Sequence, residues 1–299
     1  MTGAAGFAAL AALAMGLASA CQHHATGQVD HRAFLHPGLV LALGRRPWWL
    51  AGTTASVTGL GLQVAALTAG SIVVVQTVLV SCLAWTLLGE CLFARVLPTR
   101  RAVSGIALVG AGLVGVLLAL RPTVAPRVLV PPGGAVALVV VGCAAVAATG
   151  LLIAARNTGR TRVLALAVTA GTGYGLTAAL LKIVGEELQG GWTGPLGHPA
   201  LYAAVVVGGA AVLLSQNTLQ SGRRAAPAIA VMMAVDPAVG LVTGVSWFGE
   251  QLTTTPVALL GALAATAAMV VGLTLAHPAD HDDAPRPRAP APATTNTAA

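Results

Sequence analysis

Most of the chain consists of apolar runs about 20 residues long, separated by short loops that hold most of the arginines. A helix of about 20 apolar residues is long enough to cross the hydrocarbon core of a bilayer. Charged residues make up only 8% of the 299, and hydrophobic residues 56%, so a soluble domain could not cover its surface. The sequence therefore predicts an all-α, polytopic membrane helix bundle whose partner is the lipid bilayer.

Nine of these runs are predicted to span the membrane, at residues 3–20, 48–67, 70–88, 103–120, 134–155, 163–184, 199–215, 225–247 and 256–276. A further run at residues 33–44 is apolar for about twelve residues and contains Pro37, which is short for a span. We interpret this run as a stub or re-entrant helix. If it does cross, the bundle has ten spans.

The spans are predicted to form two repeats. Residues 1–122 form the first helical repeat, residues 123–133 a linker, and residues 134–276 the second helical repeat. Residues 277–299 are mainly Pro, Ala, Thr and charged residues, which cannot bury a core. We expect them to be a disordered cytoplasmic tail.

The positive charges of the loops predict the orientation. Of the sixteen Lys and Arg residues, thirteen fall in one alternating set of loops, and Arg121, Arg127 and Lys182 fall in the other. Cytoplasmic loops carry the excess of positive charge, so the thirteen and the C-terminus are predicted to be cytoplasmic. The N-terminus is then outside with nine spans and inside with ten. A multi-pass protein of the plasma membrane is expected.

An acidic residue, Asp236, lies in the middle of the apolar run at residues 223–250 and is followed by Pro237. A carboxylate inside a membrane span is costly, and such acids usually face a protein interior or a wet cavity. Pro237 lacks a backbone donor and frees the carbonyl of Met233, which favours a kink there. Asp236 is therefore the first candidate for a substrate or coupling site.

A weakly similar run, at residues 73–90, occurs in the first half. Gln76 precedes Glu90 by fourteen residues, and Asp236 precedes Glu250 by the same number. Arginines follow the first copy, whereas they precede the second, so the two copies are predicted to cross in opposite directions. This arrangement is typical of the inverted repeats of many secondary transporters.

Other polar residues within or at the ends of spans are candidates for the wall of a substrate path. They are Gln63, Gln76, Tyr174, Gln216, Asn217 and Gln220. Amides both donate and accept hydrogen bonds, so they suit a polar substrate of either charge. The alternative is that they form hydrogen bonds between helices, worth about 0.6 kcal/mol each.

Three charged residues near span ends are interpreted as structural. Glu90 and Glu250 lie at the interface, where a charge is inexpensive, and a solvated or structural role is expected for them rather than proton carriage. Lys182 is expected to extend to the interface, with Glu186 four residues later as a partner on the same helix face.

Several functional classes are disfavoured by the sequence. The arginines lie singly or in pairs between spans, which argues against nucleic-acid binding. We find no Ser-His-Asp set, metal signature or nucleotide motif, so we expect no enzyme activity, no cofactor and no bound metal. Gly171, Gly173 and Gly175 follow no strand and are read as close helix packing or a flexible break rather than a phosphate loop.

With two hydrophobic repeats and a late Asp236-Pro237 followed by Phe-Gly-Glu at residues 248–250, the chain resembles the drug/metabolite transporter superfamily from about residue 3 to residue 276. The second half is most similar to the EamA-type metabolite exporters, in which a Pro-containing helix ends in a Gly-Glu pair. The resemblance implies alternating access between two bundles around a central cavity, without an ATP site.

The first half also resembles the NIPA-type magnesium transporters, which have nine spans. Trp48 and Trp49 open a span, and Gln76 lies in the next. That branch has an acidic residue near the place of Leu60 and an Asn near Gln63, and the acid is absent here. We therefore expect a secondary transporter, and an exporter, of a small-molecule substrate, with Asp236 as the candidate for proton coupling or cation binding. A non-transporting membrane scaffold is the first alternative, and a magnesium transporter the second.

Overall fold

The computed structural model describes residues 2–26, 46–123, 133–219 and 225–276, and their regular elements are all helices. The helices are α1 (Thr2–Thr26), α2 (Pro47–Ala69), α3 (Ile72–Leu79), α4 (Cys82–Ala94), α5 (Arg100–Leu120), α6 (Gly133–Arg156), α7 (Gly159–Gln189), α8 (Gly194–Gly197), α9 (Pro199–Leu219), α10 (Ala225–Phe248) and α11 (Pro256–Ala276). The predicted stub at residues 33–44 and tail at residues 277–299 lie outside the described residues.

The predicted membrane character of the chain is confirmed at the level of the helices. By length and composition, seven candidate spans are present among the described residues: α1, α2, α3 with α4, α5, α6, α7 and part of α10. The other two predicted spans coincide with α9 and α11, whose apolar stretches Pro199–Ser215 and Pro256–Gly272 are shorter. Large apolar side chains also cover the outside, including Leu138, Val205 and Leu260, as lipid-facing surfaces require.

The run at residues 70–88 was expected to be one helix, but a turn at Val80 and Ser81 divides it into α3 and α4. The Ser81 hydroxyl donates to the carbonyl oxygen of Val78 at 2.7 Å. Serine side chains compete in this way with the backbone hydrogen bonds of a helix. By contrast, α10 continues through Pro237 as one helix.

Helices α3 and α10 run antiparallel and pack closely. A Cβ atom on Gly240 would lie 2.9 Å from Cγ of Gln76, and one on Gly244 would lie 2.7 Å from Cγ2 of Ile72. The order of these contacts is reversed along the two helices, which establishes their opposite directions. Because both positions are glycine, the α10 backbone comes within contact of α3 side chains.

Helix α7 lies at the centre of the bundle and packs against α2, α6, α9 and α10. A Cβ atom on Gly171 would lie 2.7 Å from the carbonyl oxygen of Met232, and one on Gly175 would lie 2.6 Å from that of Asp236. These two glycines, four residues apart, allow the backbones of α7 and α10 to approach. Of the two interpretations of the glycine-rich segment, close helix packing is the correct one.

The two ends of the bundle differ in charge. The end of α5 meets the segment after α10, where Thr123 and Gln251 form an antiparallel bridge. We call this the Glu250 end. Helix α5 starts at Arg100 and ends at the Glu250 end, so Arg100 and Arg101 lie at the opposite end of the bundle.

Helices α6 and α7 add to the charge at that opposite end. The start of α6 is at the Glu250 end, because Trp247 donates to the Ala135 carbonyl oxygen. Arg156 and the start of α7 with Arg160 and Arg162 are therefore at the far end, which we call the arginine end.

Candidate functional site

Gln76 and Asp236, the equivalent polar residues of the two similar runs, form a hydrogen bond with each other. The Gln76 amide nitrogen, on α3, donates to Oδ1 of Asp236, on α10, over 2.5 Å. Gln76 is 3% exposed, whereas Asp236 is of intermediate exposure. The contact joins the first half of the chain to the second within the spans.

The carboxylate of Asp236 forms no ion pair within the described part of the chain, and Gln76 supplies its hydrogen bond. A buried charge without a counter-ion is expensive, and a single amide offsets only part of that expense. A proton, or a ligand that is cationic or donates a hydrogen bond, would stabilise the Asp236 carboxylate. Asp236 therefore has the chemistry of a candidate binding site for a proton or for such a ligand.

Two apolar clefts flank this pair. One, of about 260 Å³, lies between α3, α5, α10 and α11 and is bordered by Thr77, Met233 and Pro237. The other, of about 720 Å³, lies between α6, α7 and α10 and is bordered by Val235 and Val239, among others. Ala234 and Ala238 border both clefts, so Asp236 lies on the stretch of α10 that separates them.

Of the other candidate residues that the structure describes, Tyr174 lies within electrostatic reach of Asp236, one residue before Gly175 at the contact of α7 with α10. Tyr174 and Ser215 share a hydrogen bond of 2.9 Å between α7 and α9, which fits the helix-joining alternative. Asn217 is exposed, and its amide donates to Leu213 of its own helix. Gln63 is half-buried on α2. The Gln216 side chain and all of Gln220 lie outside what the structure describes.

The predicted environment of Lys182 is wrong, and of the two roles predicted for Glu250 the structure shows the structural one. Their side chains are 6% and 1% exposed and form an ion pair with Nζ 3.1 Å from Oε1. The Lys182 ammonium also donates to the Gly70 carbonyl oxygen at 3.0 Å and lies 4.5 Å from the Phe248 ring centroid. The partner of Lys182 is thus a residue 68 positions away rather than Glu186, and both charges are buried instead of solvated.

Glu250 also caps α3. Its carboxylate accepts from the backbone N–H of Ile72 at 2.6 Å, from that of Val73 at 3.4 Å, and from the Ser71 hydroxyl. The first N–H groups of a helix lack partners within it, and a negative charge near them is stabilising. Together with the Lys182 ammonium, four donors therefore converge on this one carboxylate.

The Gly-Glu pair explains how the carboxylate reaches that position. Gly249 has φ of 62°, a left-handed conformation that glycine adopts without strain and that commonly ends a helix. The Glu250 N–H then donates to the Gly244 carbonyl oxygen at 2.9 Å, which turns the chain back on α10. The sequence held one signal of this capping, namely Ser71 immediately before an apolar run.

Among the described residues, no group of three or more His, Cys, Asp or Glu residues could hold a metal ion. Comparison with protein-family models, with curated proteins and with solved structures gives no match to this chain.

Proposed function

We propose that this protein is a secondary transporter of a small solute or metabolite that works by alternating access, with Asp236 as its coupling or binding residue. The observation that carries the proposal is the hydrogen bond between Asp236 and Gln76, which joins the two halves of the chain at a carboxylate that has no counter-ion among the described residues. Intramembrane acids of this kind commonly mark the paths of protons, ions and substrates.

The geometry supplies a link between binding and conformation. Gln76 and Asp236 belong to different halves, so a movement of one half against the other changes their hydrogen bond. A proton or ligand that competes with Gln76 for the carboxylate favours the arrangement in which that bond is broken. A ligand shifts such an equilibrium only through its different affinity for the two states, and this contact provides the difference.

The proposed architecture has nine or ten spans in two inverted repeats, and the sequence resembles the drug/metabolite transporter superfamily. The antiparallel packing of α3 and α10 supports opposite directions for the two repeats. The placement of Arg100, Arg156 and Arg160 at one end supports a cytoplasmic arginine end in the plasma membrane. Export is the proposed direction, in line with the EamA-type exporters.

The experiment that tests this proposal is an untargeted comparison of metabolites inside and outside cells with and without the protein. We expect at least one small solute to be depleted inside the expressing cells and enriched outside them. A membrane scaffold predicts identical pools, and that result would remove the transport proposal. The magnesium alternative predicts a change in cellular magnesium alone.

A further inference from the structure

A network of hydrogen bonds joins the two halves at the Glu250 end. The second half contributes Lys182 and Glu250, and the first half contributes Gly70, Ser71 and the two N–H groups that begin α3. We call these side chains and backbone groups the latch. It occupies the end of the bundle opposite to the arginine end.

Beneath the latch, the bundle is closed by apolar side chains. Val75, one turn below Ser71, is 0% exposed, and it belongs to a buried cluster that includes Leu67, Ala178 and Phe248. These side chains come from both halves of the chain. Asp236, lower on α10, is therefore separated from the Glu250 end by the latch and by this cluster.

We propose that the latch is the gate at the Glu250 end, and that its bonds between the halves open in the other conformation of the transport cycle. This inference rests on the proposed function. The bonds to be broken run from Lys182 to Gly70 and, to Glu250, from Ser71, Ile72 and Val73. The ion pair itself lies entirely within the second half.

The physical chemistry of the latch suits a reversible contact. The attraction within a buried ion pair is largely offset by the water that both charges have lost. When the first half withdraws, water replaces its hydrogen-bond donors, and Lys182 remains beside Glu250 to neutralise it.

The test uses a reporter cysteine below the latch. The native cysteines Cys21, Cys82, Cys91 and Cys143 are replaced by alanine, and Val75→Cys is introduced. A membrane-impermeant maleimide is then applied to intact cells and to inverted vesicles. We expect slow labelling of the reporter from the Glu250 face only, because the closed state buries it and the open state exposes it.

Loosening the latch should speed that labelling. Ser71→Ala removes the hydrogen bond to Glu250, and with it the long 3.4 Å cap bond from the Val74 N–H, without leaving a charge unpaired. We expect labelling about three- to tenfold faster, the worth of one hydrogen bond. Ser81→Ala is the matched control, because Ser81 bonds only to its own turn, and it should leave the rate unchanged.

A second reporter, Val109→Cys, detects unfolding. Val109 is buried like Val75, at 3% exposed, but it lies on α5, where it packs with Met269 of α11 away from the latch. It should stay unlabelled in every background. A Val75→Cys reporter that is never labelled, or two reporters that become labelled together, would overturn the gate.

The labelling needs no solute, so it separates the two proposals. A chain that transports while Val75→Cys stays inert contradicts the gate alone. A chain that shows the expected labelling and moves no solute contradicts the proposed transport function.

Discussion

Cells that carry Asp236→Asn should show at least about tenfold less of the proposed solute export than cells that carry the wild-type protein. Asparagine has the same shape and still accepts a hydrogen bond from Gln76, so the helices should pack as before. What disappears is the negative charge, whose hydrogen bonds are worth roughly 1.5–3 kcal/mol, and 1.4 kcal/mol is a factor of about ten. The measurement is the ratio of solute outside to inside at equal amounts of protein in the membrane.

Two variants serve as controls for this loss. Asn217→Ala changes an exposed amide that bonds to its own helix, and it should leave export unchanged. Asp236→Glu keeps the charge and should retain part of the activity. If Asp236→Asn exports as well as the wild type does, the carboxylate has no part in coupling or binding.

Lys182→Met should lower the stability of the folded protein strongly. Removing one partner of a buried ion pair leaves an uncompensated charge and typically costs about 3–5 kcal/mol. Here Glu250 keeps its bonds to Ser71 and Ile72, so the lower part of that range is expected. The measurement is the thermal unfolding midpoint of the purified protein in detergent.

The neighbouring acids of α7 provide the comparison. Glu187 is exposed on the same helix, and Glu187→Gln should change the midpoint little. The double variant Lys182→Met with Glu250→Gln should be less destabilised than the sum of the single variants, because the pair is removed together. Additive effects would mean that Lys182 and Glu250 act independently.

The helices themselves could be predicted because a bilayer imposes length and polarity on each span separately. Helices α5, α6 and α7 follow directly from apolar runs bounded by arginine or glycine. The division between α3 and α4 could not, because Val80 and Ser81 include neither the glycine nor the proline that usually marks a helix break. Ser81 differs little in sequence from the serines and threonines that leave other helices intact.

The pairing of Asp236 with Gln76 was within reach of the sequence, since both precede a Gly-Glu pair by the same interval. The burial of Glu250 could not be predicted from the sequence. An acid at the end of a span is usually solvated, and its actual donors lie on α3 and α7, far away in the chain. Contacts of this kind depend on how helices from the two halves meet, which no local pattern records.

The most direct measurement is flux through the purified protein in liposomes, with the solute found in the cell experiment. Wild-type vesicles should take up the solute saturably, faster than empty vesicles, and an imposed pH gradient should change the rate in the wild type but not in Asp236→Asn. Uptake no faster than that of empty vesicles would contradict transport, and a pH response that survives in Asp236→Asn would contradict the role of that carboxylate.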